Sequence, residues 1–70
     1  MNWIQTPESS NINRFTYDES TQTMKVEFRN GGIYNYFDIP QNIFEEMKRA
    51  TSKGQYLAQN IKGYYRYARA

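Results

Sequence analysis

The residues of this chain best equipped for chemistry are its tyrosines, lysines and arginines. Tyr34 and Tyr36 flank Asn35, so on a strand both rings leave the same face. An open face would be a platform on which nucleobases stack. A face covered by helices would make the rings core, with Asn35 turned outward. The core reading is the better supported, because large aromatics in small domains are more often buried than displayed. A second set lies near the C-terminal end: Lys53, Lys62, Tyr64, Tyr65, Arg66, Tyr67 and Arg69. Its cations suit phosphates, and its phenols suit stacking. Tyr and Arg are also enriched at protein-interface hot spots, so composition leaves both partner classes open. The candidate binding set is Tyr34, Tyr36, Lys48, Arg49, Lys53, Lys62, Tyr65, Arg66, Tyr67 and Arg69.

Other chemistries lack their residues. The chain has no cysteine and no histidine. That removes disulfides, the usual zinc ligand sets and the common nucleophile–base pairs. Gly31-Gly32 joins two strands and opens no helix, so it is no phosphate loop. Glu45 and Glu46 are adjacent and diverge by about 100° on a helix, so they read as a solvated face rather than an acid/base pair. Asp18 and Glu19 read as turn formers. The expectation is a protein without catalytic residues, bound metal or cofactor.

Seventy residues make one domain with a thin core. With no staple available, one Trp, four Phe and seven Tyr must supply much of the packing. A thin core rich in tyrosine is compatible with a monomer and with a homodimer. No segment approaches the ~20 apolar residues of a membrane span, and the N-terminus does not read as a signal peptide. A cytoplasmic location and no membrane partner are expected. The net charge of +2 hides an asymmetry. Residues 1–46 hold three bases against seven acids, a net of −4, whereas residues 47–70 hold six bases and no acid, a net of +6. Such a block attracts a partner of opposite sign, unless the two halves fold together and neutralise.

The elements that position these residues follow from periodicity. Residues 1–11 read as an irregular N-terminal segment, with Trp3 and Ile4 folding back onto the body. Ile12 to Tyr17 reads as a strand with Phe15 and Tyr17 on one face and Arg14 and Thr16 on the other. Thr23 to Arg29 alternates Met24, Val26 and Phe28 with Lys25, Glu27 and Arg29. Asn30-Gly31-Gly32 is a hairpin signal leading into a strand from Ile33 to Phe37. Pro40 then suits a helix start, and Ile43, Met47 and Ala50 make an apolar stripe, with Glu45 and Arg49 four apart. Gly54 is placed as a left-handed stop. A second helix is expected from Gln55 to about Lys62, broken by Gly63, with 64–70 as a basic aromatic C-terminal tail. The fold class is α+β: a three-stranded antiparallel meander followed by two helices packed on one face.

The ordered series of these signals resembles the KTSC domain. The resembling residues are Ser9-Ser10-x-Ile12, Tyr17-Asp18, Met24-x-Val26-x-Phe28 and Gly32-x-Tyr34-x-Tyr36. Ile39-Pro40, Ala50-x-Ser52-x-Gly54-x-Tyr56 and Ile61-Lys62-x-x-Tyr65 follow. The resemblance spans residues 9–67. Two positions depart from it: Ala58 stands where the family often has Asn, and Lys62 where it often has Arg. Lys is not equivalent to Arg at a bidentate phosphate site. The resemblance implies a small binding module and, through the family's association with lysyl-tRNA synthetases, RNA or single-stranded nucleic acid as partner. The alternative is a protein-interaction module docking on an acidic surface, such as a phage-encoded regulator or inhibitor of a host enzyme or defence protein.

Overall fold

The structure, a computed structural model, describes residues 2–70. Its centre is the expected meander of β2 (Ile12–Asp18), β3 (Thr23–Phe28) and β4 (Ile33–Tyr36). Two short strands extend it: β1 (Ile4–Gln5) pairs with β2, and β5 (Tyr67–Arg69) pairs with β4. The result is an open antiparallel sheet in the order β1-β2-β3-β4-β5, five strands rather than three. The additional strands have two and three residues, too short for alternation to announce them. Part of the expected C-terminal tail is thus an edge strand.

Register sorts the side chains. Ile4 lies opposite Phe15, Phe15 opposite Val26, Val26 opposite Tyr34, and Tyr34 opposite Arg69. Tyr17, Met24, Tyr36 and Tyr67 form the next row. Directly paired residues share a face, so these rows point toward the helices. The intervening residues Arg14, Thr16, Lys25, Glu27, Asn35 and Ala68 occupy the other face. A register shift between Ile12 and Arg14 lets Ile12 enter the core despite the break in alternation. At the β3–β4 hairpin Gly31 has φ +95°, and the Asn30 Oδ1 accepts from the Gly32 N–H at 2.9 Å. That left-handed position is the reason for Gly31.

Two helices cover the apolar face: α1 (Gln41–Arg49) and α2 (Lys53–Asn60). Pro40 sits just before α1 in an extended conformation, with φ −63° and ψ 149°. α1 ends at an extended Ala50, and Ser52 caps α2 by accepting from the Gln55 N–H at 3.3 Å. Gly54 therefore lies in the first turn of α2 and is no left-handed stop. A Cβ there would meet the end of the Asn11 side chain, which would have to shift, so the constraint on Gly54 comes from packing and not from backbone conformation. Glu45 pairs with Lys48 at 3.3 Å rather than with Arg49. The core joins Ile12, Phe15, Met24, Val26, Tyr36, Ile39, Met47, Leu57 and Ile61. Phe44 stacks on Tyr17 with centroids 4.6 Å apart, and the Tyr17 hydroxyl donates to the Ile39 carbonyl at 2.5 Å.

Candidate functional site

Strands β3, β4 and β5 deliver four rings to one place. Tyr34 and Tyr36 lie opposite Arg69 and Tyr67 across the β4–β5 pair. The Tyr67 ring is 5.9 Å from Tyr34 and 5.9 Å from Tyr36, both tilted. Phe28 meets Tyr34 edge-on at 5.6 Å. Together with Asn30, Lys62 and Gly63 these rings line a cleft of about 530 Å³. Gly63, at φ +89°, turns the chain after α2 and places Lys62 at the wall. Lys62 is the one charged side chain among the described residues lining the cleft. It joins no salt bridge among them.

The two tyrosines of the Tyr-x-Tyr pair divide the work. Tyr36 is buried, with 3% exposure, and forms the floor, whereas Tyr34 is half-buried at the wall. Burial pushes the Tyr36 phenol above its ordinary range, and the neighbouring Tyr34 and Tyr67 hydroxyls add to the rise. Three phenols thus converge on one cavity. Tyr67 itself is 60% exposed, so the cleft opens through it.

The remaining predicted site residues do not gather here. Arg69 shares the helix-side face and lies beside Tyr34. Arg66 is one residue out of phase with Tyr67, sits over Phe37 at 5.4 Å, and pairs with Asp38 at 2.9 Å. Tyr65 packs partly buried against the core. Lys48 pairs with Glu45 and lies over the Phe44 ring at 5.4 Å. Arg49 lies near Tyr56, and the Lys53 Nζ donates to the Ala50 carbonyl at 3.1 Å. The basic block of residues 47–70 is therefore dispersed over the molecule, because the two helices and β5 present its members in different directions. Sequence reading did not single out Asn30 or Gly63 as cleft residues. Both are turn formers, and only the fold shows that the two turns flank the same aromatic rows.

Elsewhere the buried polar side chains are largely paired among the described residues. On the outer face Glu27 accepts from Asn13 (2.6 Å) and Arg14 (3.1 Å), which hold its carboxyl below the usual range, and Trp3 lies under the Arg14 guanidinium at 4.2 Å. The Asn35 Oδ1 on that face is buried without a partner among the described residues. A second recess lies between Ser9–Asn11 and the start of α2, and Ala58 lines it. Among the described residues no three His, Cys, Asp or Glu side chains group as a metal site, and no helix is long and apolar enough to cross a membrane.

Sequence and fold both relate the chain to known proteins. The KTSC domain profile matches residues 8–65, and the chain belongs to the KTSC domain family. A crystal structure of a KTSC domain protein from Yersinia pestis superposes with a TM-score of 0.92 at 26% identity, covering 99% of this chain and 96% of that one. The lysine–tRNA ligase of Trichormus variabilis is 44% identical over 61 residues, and that of a Nostoc species is 46% identical. Each alignment covers 87% of this chain but 11% of the ligase, so the chain spans about a tenth of those relatives. An uncharacterized protein of Stutzerimonas stutzeri is 33% identical, with 89% of both chains covered. The two positions that depart from the resemblance line different recesses: Ala58 the one beside Ser9–Asn11, and Lys62 the aromatic cleft.

Proposed function

We propose that this KTSC domain is a non-catalytic binding module whose aromatic cleft takes single-stranded nucleic acid. The observation that carries the reading is the convergence of Tyr34, Tyr36 and Tyr67 with Lys62 on a single cavity. Tyr67 and Tyr34 offer ring faces to unstacked bases, an interaction worth about 1–3 kcal/mol per base. Lys62, with Arg69 on the same sheet face, supplies phosphate contacts. The similar lysine–tRNA ligases act, by name, on an RNA, which favours RNA over DNA.

The geometry changes the expected salt dependence. A patch of six cations would weaken binding steeply with salt, but only two cations serve the cleft. For single strands the slope of log K against log salt is then roughly −1.4. Fluorescence anisotropy with short labelled RNA and DNA, at low and physiological salt, tests the reading. Tyr67→Ala and Lys62→Glu should each weaken binding by about tenfold or more, corresponding to about 1.4 kcal/mol. Lys48→Glu with Arg49→Glu should change it by less than about twofold, since that pair lies away from the cleft. Wild-type affinity in the cleft variants would sink the proposal and leave a protein partner as the reading to pursue.

A further inference from the structure

The free edge of β5 is unlike the rest of the sheet. The Ala70 N–H donates to the Ile33 carbonyl at 2.7 Å, and the Phe37 N–H donates to the Arg66 carbonyl at 2.9 Å. Backbone direction alternates along a strand, so Arg66, Ala68 and Ala70 turn their polar groups toward β4. Tyr67 and Arg69 must then turn their N–H and C=O groups outward. Tyr67, Ala68 and Arg69 are all exposed, so no helix or loop among the described residues covers them. The large exposed apolar side chains cluster here too: Tyr64 at 73% and Tyr67 at 60%. Short strands, proline and charge are the usual means of blunting such an edge. This one is short and carries arginine, but it has no proline.

We propose that β5 pairs antiparallel with β5 of a second copy of this chain, in a register centred on Ala68. The register follows from charge and backbone direction together. Centring on Ala68 sets Tyr67 opposite the second copy's Arg69, and Arg69 opposite its Tyr67. Both residues have outward backbone groups, so each exchanges its hydrogen bonds with the other. Their side chains meet as cation and ring on one face, a favourable cross-strand pair. Centring on Arg69 would put arginine against arginine. Centring on Tyr67 would set Arg69 against Tyr65, whose N–H is already held by the Ile61 carbonyl at 3.2 Å. The remaining charge in the segment, Arg66, falls opposite Ala70 in the proposed register and meets no like charge.

Pairing about an axis perpendicular to the sheet continues it from five strands to twice that number. It leaves both sets of helices on one side, and both aromatic clefts open side by side across the Tyr67–Arg69 pairs. A contact built on three-residue strands is small, so the association is reversible and concentration-dependent.

Sedimentation velocity on the full chain without nucleic acid, from micromolar to millimolar concentration, tests this independently of the cleft's ligand. The expected result is a rise from the 8.4 kDa monomer to twice that mass. Arg69→Pro removes one outward N–H and none of the inward ones, a position where an edge strand tolerates proline. It should abolish the rise. Tyr67→Lys sets two cations opposite each other and should weaken association at least tenfold, with partial recovery in high salt. Amide exchange adds a register-specific signature. The Tyr67 and Arg69 amides should slow with increasing concentration, while Ala68 stays protected throughout. A monomer at every concentration, a dimer indifferent to Arg69→Pro, or Tyr67 and Arg69 exchange independent of concentration would each overturn the proposal.

Discussion

At the β1 edge of the sheet, the chain closes on itself. The Thr6 side chain is fully buried and donates to the Ile12 carbonyl at 2.6 Å. The Ser9 Oγ accepts from the Ile12 N–H at 3.0 Å. Arg29 reaches across from the end of β3 and donates to the carbonyls of Ser9 (2.7 Å), Thr6 (3.0 Å) and Pro7 (3.2 Å). Pro7 follows the strand and blunts it. At the β5 edge, polar groups instead point outward: the phenols of the cleft, the Lys62 ammonium and the backbone of Tyr67 and Arg69. Side-chain hydrogen bonds to distant backbone carbonyls gather at the β1 end, whereas at the β5 edge the strand is held by its β4 ladder on one side alone. An Arg bonded to three carbonyls fixes structure, whereas Lys62 joins no salt bridge among the described residues and is the cation on which the proposed binding rests.

Stability measurements can break this comparison. Arg29→Ala removes charged hydrogen bonds to three carbonyls, the one to Thr6 partly buried, and should cost about 2–3 kcal/mol. Lys62→Ala at the other end should fall within about 0.5 kcal/mol of the parent, as substitutions at solvent-facing positions do. Urea denaturation with an unchanged m-value reads both. Equal costs would mean that the β5 end is as much a part of the scaffold as the β1 end.

Gly54 offers a finer test, because two effects oppose each other there. Alanine in a helix is favoured over glycine by about 1 kcal/mol. Its Cβ, however, would strike the Asn11 side chain, which the Ser9 hydroxyl holds at 3.1 Å and which belongs to the locked end. Overpacking of this kind costs about 1–3 kcal/mol. Gly54→Ala should therefore destabilise by about 1 kcal/mol. In an Asn11→Ala background the collision disappears, and the same substitution should stabilise. Failure of the sign to invert would show that Asn11 does not set the requirement for glycine.

Gly54 also shows where sequence reading reached its limit. Its neighbours marked a helix boundary correctly, but glycine marks a left-handed turn and a close approach equally well. Only the position of Asn11, more than forty residues earlier, separates the two. The same holds for the basic block. Periodicity identified the helices and the alternation of β3, and hence the core face. It could not say which way Lys48, Lys53 and Lys62 point relative to one another, because that depends on how α1 and α2 cross the sheet. Tyr34 and Tyr36 were legible as a same-face pair. That one would be floor and the other wall depended on β5, a strand of three residues.

The smallest expected effects separate paired from unpaired phenols. Tyr56 donates to the Glu46 carboxylate at 2.8 Å. Burial first, and then that hydrogen bond, push its pKa up to about 12. The Tyr36 phenol is also raised, by burial and by the neighbouring Tyr34 and Tyr67 hydroxyls, with no hydrogen bond contributing. A raised phenol holds its proton more tightly in the folded chain than in the unfolded one. For Tyr56 that contribution is complete below pH 10 and is lost as the pH rises from 10 toward about 12, and for Tyr36 it is likewise lost above pH 10. At neutral pH, Tyr56→Phe should cost under about 1 kcal/mol, the value of one exposed hydrogen bond. Tyr36→Phe removes a hydroxyl that has no hydrogen-bond partner among the described residues and should be neutral there. Both substitutions should flatten the alkaline fall in stability, followed by denaturation midpoints from neutral pH to beyond 11. A neutral-pH cost for Tyr36→Phe as large as that for Tyr56→Phe would mean that the cleft hydroxyl already has a structural partner, and the contrast between the two ends would fail at its most exposed point.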